Sequence, residues 1–171
     1  MTGLGGGGIK MRKKLLNPFT MLVAGLILGI ISRVLDIYTT NLGEIFSQMA
    51  IWILIGTLIS IYSKTAKRAM LNVLPFCLGM LLTYYIVAAL SHGVYSKEYI
   101  IAWTVFALCS PVMAYFAWLT KEKGVFPIIV SVGIVTVSVF SSIILFDRLR
   151  IYDFIIDGAL IYFLFFKKIR R

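Results

Sequence analysis

Eight polar or charged side chains stand inside or beside long apolar stretches: Arg33, Asp36, Glu44, Gln48, Arg148, Arg150, Asp153 and Asp157. A charge at the centre of a bilayer costs about 2.5–3.5 kcal/mol on insertion scales, so each needs a partner, a hydrated cavity or a function. Their spacing is helical. Arg33 and Asp36 are three apart, and Glu44 with Gln48 and Asp153 with Asp157 are four apart. Each pair therefore shares one helix face. The expectation is a polar pocket open to the outer side, with Arg33, Gln48, Asp153 and Asp157 as ligand-binding candidates. Asp36, Glu44, Arg148 and Arg150 are expected at its rim. Paired carboxylates can hold a cationic group or relay protons. The plainer reading is that Arg33 and the aspartates neutralise one another and hold helices together, each contact contributing about 0.6–2 kcal/mol.

Depth sharpens the choice. At about 1.5 Å per residue, Arg33 lies roughly 22 Å, Asp153 roughly 20 Å and Asp157 roughly 13 Å above the inner edge of their helices. Arg33 and Asp153 are level, which predicts that they pair and that the first and last spans are neighbours. Asp157 is left near mid-membrane, where shallow snorkelling cannot rescue it.

Other chemistry is thinly represented. No Gly-x-Ser-x-Gly, His-Glu-x-x-His or Walker loop occurs, and no base stands beside a serine or cysteine. The single His92 rules out metal sites that need several histidines. Cys77 and Cys109 both lie in apolar runs and read as small buried hydrophobes rather than a disulfide or metal pair. Neither a metal centre nor a cofactor is expected. Only Asp153 and Asp157 could serve an intramembrane enzyme acting on a lipid headgroup.

The elements that must position these residues are membrane helices. Of the 171 residues 60% are hydrophobic and 14% charged, against roughly 45–50% and about 25% in a soluble domain. That apolar excess must face lipid. A spanning helix needs about 20 apolar residues, and candidates run near 18–35, 45–62, 70–90, 99–119, 125–146 and 151–166. Barrel strands would alternate in polarity over about ten residues, which these runs do not. The prediction is an all-α bundle of about six transmembrane helices in one membrane domain, 15–171.

Charge sets its orientation. Of 17 Lys and Arg, thirteen fall on one side of such a topology, and Arg33, Lys97, Arg148 and Arg150 on the other. The basic side is cytoplasmic, placing both termini inside. The formal net charge of +10 is thus explained by topology, not by nucleic-acid binding. Residues 1–14 are expected to form a flexible, basic N-terminal segment. Within it, 1–10 read as an extension ahead of a second start at Met11. The first apolar run is too long for a signal peptide and reads as a retained span.

Met49–Thr57, Ile61-Tyr62-Ser63-Lys64, Ala69–Val73, Gly79-Met80, Thr83-Tyr84-Tyr85, Ser110-Pro111 and Lys123-Gly124 together resemble a family of small bacterial membrane proteins classed only as a domain of unknown function. The likeness covers most of residues 15–166. It implies a polytopic helical fold and a multi-pass place in the bacterial inner membrane, and it brings no activity or site residues.

Ala24, Gly25 and Gly29 allow close helix approach in the first span. Pro75 and Pro111 are expected to kink theirs. Two function classes compete evenly: a binder or transporter of a small molecule or ion, and a non-enzymatic accessory, immunity or assembly protein whose charges only organise the bundle. The partners expected are the lipid bilayer and either a small ligand or a membrane protein, which includes a second copy of this chain.

Overall fold

The computed structural model describes residues 16–39, 45–46, 48–91, 97–146 and 150–169. Among them all regular structure is helical and there is no strand. The elements are α1 (Pro18–Tyr38), α2 (Met49–Tyr62), α3 (Ala66–Leu90), α4 (Lys97–Leu119), α5 (Phe126–Phe146) and α6 (Ile151–Ile161), with α6 prolonged by a π-helical turn, Tyr162–Phe166.

Local chemistry sets the starts. The Asn17 side chain accepts from the Thr20 N–H at 2.9 Å, the Thr20 hydroxyl accepts from the Asn17 N–H at 3.3 Å, and Pro18 opens the first turn. Thr65 caps α3 by accepting from the Arg68 N–H at 3.2 Å. Gln48 is extended (φ −83°, ψ 144°), so α2 begins at Met49 rather than at Ile45.

Four helical stretches are long and apolar enough to cross a membrane: Pro18–Tyr38, Ala66–Leu90, Ile100–Leu119 and Phe126–Ile144. Their outer faces carry large exposed side chains such as Phe19, Leu82, Ile101 and Ile129, which suit lipid and not water. This is a multi-pass membrane protein. With 14 residues, α2 is about 21 Å long, shorter than the hydrocarbon core.

Side-chain contacts give the helix directions. Gly25 sits against Phe76, and Gly29 against Met80 and Thr83, so α1 and α3 run parallel. The C-terminal ends of α2, α4 and α6 meet. Trp118 Nε1 donates to the Ser63 carbonyl at 3.1 Å, and the Tyr62 and Phe163 rings lie 6.4 Å apart. Lys121 Nζ donates to the carbonyls of Leu164 and Lys167 at 2.7 and 3.0 Å, a cation satisfying the last acceptors of a helix.

The apolar core joins α2, α3 and α4 through Trp52, Ile59, Val73, Phe76, Met80 and Ala114. α1 packs on α3 by another principle. Its buried residues are Gly25, Gly29 and Ser32, and Gly79 of α3 faces back so closely that a Cβ there would lie 2.9 Å from the Leu22 carbonyl oxygen. Thr83 Oγ1 donates across this seam to the Leu26 carbonyl at 2.8 Å. The small residues of the first span thus allow backbones to touch.

Candidate functional site

The expected single cluster is divided in two. On α1 and α3, the Arg33 guanidinium is paired with the Asp36 carboxylate one turn on. Arg33 also donates to Tyr84 Oη at 3.5 Å and lies over the Tyr84 ring, 5.5 Å from its centroid. Tyr84 Oη donates to the same Asp36 oxygen at 3.2 Å. Arg33 and Asp36 therefore neutralise one another locally, with Tyr84 hydrogen-bonded to both.

The expectation that Arg33 pairs with Asp153 fails. Among the described residues α1 shares no extended interface with α6; its packing is against α3. Equal depth, expected from helical rise, says nothing about position around the bundle. A partner three residues away on the same helix also costs less to reach than one on another helix.

The second cluster lies between α5 and α6. Asp153 stands at the third position of α6, where one carboxylate oxygen accepts from the Arg150 N–H at 2.8 Å. That places a negative charge on the helix N-terminus, where unpaired N–H groups and the dipole favour it. The other oxygen lies 3.5 Å from Ser142 Oγ of α5, a hydroxyl shared with the Ser138 carbonyl at 3.4 Å. One turn further, Asp157 Oδ1 accepts from Ser138 Oγ at 2.6 Å. Two serines four apart on α5 thus face two aspartates four apart on the antiparallel α6.

The cluster extends to the start of α2. Gln48 Nε2 donates to Tyr152 Oη at 3.3 Å, and the Arg150 guanidinium donates to the same oxygen and lies over the Tyr152 ring. Gln48, Asp153, Ser138 and Ser142 are buried, and Asp157 is only 7% exposed. Gln48 Oε1 is buried without a hydrogen-bond partner.

The two aspartates differ in kind. Asp153 accepts from a backbone donor and a hydroxyl, in the manner of a cap. Asp157 has a hydroxyl, and no lysine or arginine among the described residues pairs with it. Glu44 and Arg148, expected at the rim, lie outside the described residues. Arg150 is placed at the N-terminal end of α6 and Asp36 in the α1–α3 group.

Tyr84, Tyr152, Ser138 and Ser142 were not among the candidate site residues. The matched four-residue spacing of the serines and aspartates was the available signal for the last two. Among the described residues no group of three or more His, Cys, Asp or Glu could hold a metal ion. Two carboxylates with two hydroxyls, weak neutral donors and acceptors, suit a proton or a monovalent cation better than a divalent one.

No curated protein and no solved structure matches the chain. A family match spans residues 9–145, which takes in α1 to α4, nearly all of α5 and both serines, and stops ahead of Asp153 and Asp157. With most of its length so matched, the chain belongs to DUF6518, a family of unknown function.

Proposed function

We propose that this protein crosses a bacterial inner membrane six times, with both termini cytoplasmic, and binds a small cation or a proton at Asp157. The observation that carries the reading is a buried carboxylate, hydrogen-bonded by Ser138, with no cationic side chain among the described residues beside it. A carboxylate at such depth persists only with a neutralising partner. Asp153, one turn away, supplies a second carboxylate, and Gln48, Tyr152 and Arg150 connect it to the outer end of the bundle. The short α2 is accommodated by local thinning of the bilayer.

Ion titration tests this reading. Purified protein is melted in detergent across Na⁺, K⁺ and pH series, beside Asp157→Asn. A site filled at 100 times its Kd stabilises by about 2.7 kcal/mol, roughly 5–10 °C for a chain of this size. The wild type should show such a shift with one of these ions, and the folded variant should show none. A wild type indifferent to all three sinks the proposal. The accessory or assembly role then becomes the better reading, already favoured by the self-contained Arg33–Asp36–Tyr84 group.

Orientation is tested by labelling. In a chain with Cys77 and Cys109 replaced, a cysteine at Lys123, exposed between α4 and α5, should resist an impermeant reagent applied from outside. Cysteines at Thr40 and Ser96, positions outside the described residues, should react. External labelling at 123 would reverse the topology.

A further inference from the structure

Basic side chains gather at the end of the bundle where α2, α4 and α6 finish. The turn into α3 carries Lys64, Lys67 and Arg68, and the turn between α4 and α5 carries Lys121 and Lys123. The stretch after the π-helical turn adds Lys167 and Lys168. These three segments adjoin. Trp118 Nε1 donates to the Ser63 carbonyl, and Lys121 Nζ donates to the carbonyls of Leu164 and Lys167. Seven cations are thus brought together with one acid, Glu122, among the described residues there, and all of the cations except Lys121 are exposed.

Orientation in the membrane accounts for their number but not for their positions. A cation is favoured at a helix C-terminus and opposed at an N-terminus. The last turns of α2 and α4 hold no basic residue, whereas Lys67 and Arg68 stand in the first turn of α3, which has no acid. Like charges therefore accumulate, and an anion beside them relieves both the side chains and the helix end. The surface next to the cations is apolar. Val125, Phe126, Tyr162, Phe165 and Phe166 are all exposed. An occupant with an anionic head and apolar tails covers both surfaces at once. A soluble anion, a nucleic acid or an acidic protein would cover only the first.

We propose that this end of the bundle binds anionic phospholipid, its phosphate held by the exposed cations of the three segments and its acyl chains lying against the start of α5 and the π-helical turn. The site is independent of the Asp157 reading, and it stands whichever face of the membrane this end occupies.

Trp118, at the junction of the segments, is the reporter. With Trp52 and Trp103 replaced by phenylalanine, it alone remains of the three tryptophans. The protein is reconstituted in mixed vesicles of phosphatidylglycerol and phosphatidylcholine, with one lipid or the other brominated to quench it. Quenching should reveal a preference for phosphatidylglycerol of about fivefold, the effect of roughly one Lys or Arg near an anionic surface. Lys67→Gln, Arg68→Gln, Lys167→Gln and Lys168→Gln combined should abolish the preference. All four positions are exposed, so the variant should keep the wild-type melting curve. Should Trp52→Phe disturb the core, native mass spectrometry of the unsubstituted protein with equimolar lipids makes the same comparison. Equal quenching or equal adducts from the two lipids overturns the proposal, as does a preference that survives in the folded quadruple variant. Sodium phosphate should displace no more phosphatidylglycerol than sodium chloride of the same ionic strength. Displacement by phosphate alone would mark a site for a soluble anion and overturn the lipid assignment.

Discussion

Gly29→Leu should unfold the α1–α3 pair, the largest effect expected from any single substitution in this protein. A Cβ at Gly29 would overlap the Met80 carbonyl and the Thr83 hydroxyl, and one at Gly25 would overlap the Phe76 carbonyl. The obstacles are mostly backbone, which cannot rotate aside, so the helices would have to separate. Separation also breaks the Thr83–Leu26 hydrogen bond. Overpacking costs about 1–3 kcal/mol where side chains can adjust and more where they cannot, so at least 3 kcal/mol is expected, roughly 6–12 °C of melting temperature. Gly158→Ala is the control. Nothing lies within 4 Å of its Cβ position, and better helix propensity should raise stability by about 0.5–1 kcal/mol. Melting curves that rank these two variants the other way would refute the close-packed seam.

Asp153→Ala should destabilise the protein by about 2.5–4 kcal/mol, combining the loss of a helix cap, about 1 kcal/mol, with that of a charge-assisted hydrogen bond, about 1.5–3 kcal/mol. Its side chain is wholly buried, and its removal leaves the Arg150 N–H without its acceptor, while the Ser142 hydroxyl keeps the Ser138 carbonyl at 3.4 Å. Asp157→Asn should behave differently. Asparagine keeps an oxygen for Ser138 and removes only the charge, which no described side chain offsets, so stability should be unchanged or raised. Thermal melts of both variants in detergent separate a structural carboxylate from a binding one. Equal losses would make both aspartates structural and favour the scaffold reading.

The membrane character was legible because it rests on composition and run length, which need no tertiary information. Gly25 and Gly29 were legible as contact residues for a related reason: residues four apart share a face, and small residues on a lipid-borne helix have few uses except close packing. The polar residues were legible as a set but not in their pairing. Helical rise led to the expectation that Arg33 and Asp153 are level, yet azimuth around a bundle depends on which helices are adjacent, and α1 adjoins α3. Tyr84, between Arg33 and Asp36, became visible only once α3 was placed there. The serines at 138 and 142 acquire meaning only opposite Asp153 and Asp157, because a hydroxyl in a span can equally turn back on its own backbone, as Ser131 does to the Pro127 carbonyl at 2.8 Å.

What the sequence alone determined, then, is one-dimensional: helical periodicity, apolar runs long enough to face lipid, and the position of each charge along its run. Rise per residue and the cost of burying polar groups act within a single segment. The tertiary structure decided whatever depends on neighbours. It split the polar set into a self-neutralised arginine group and a carboxylate cluster, made Asp153 a cap and left Asp157 with a hydroxyl. Volume and hydrogen-bond satisfaction are properties of surfaces brought together, and no spacing along one helix encodes them.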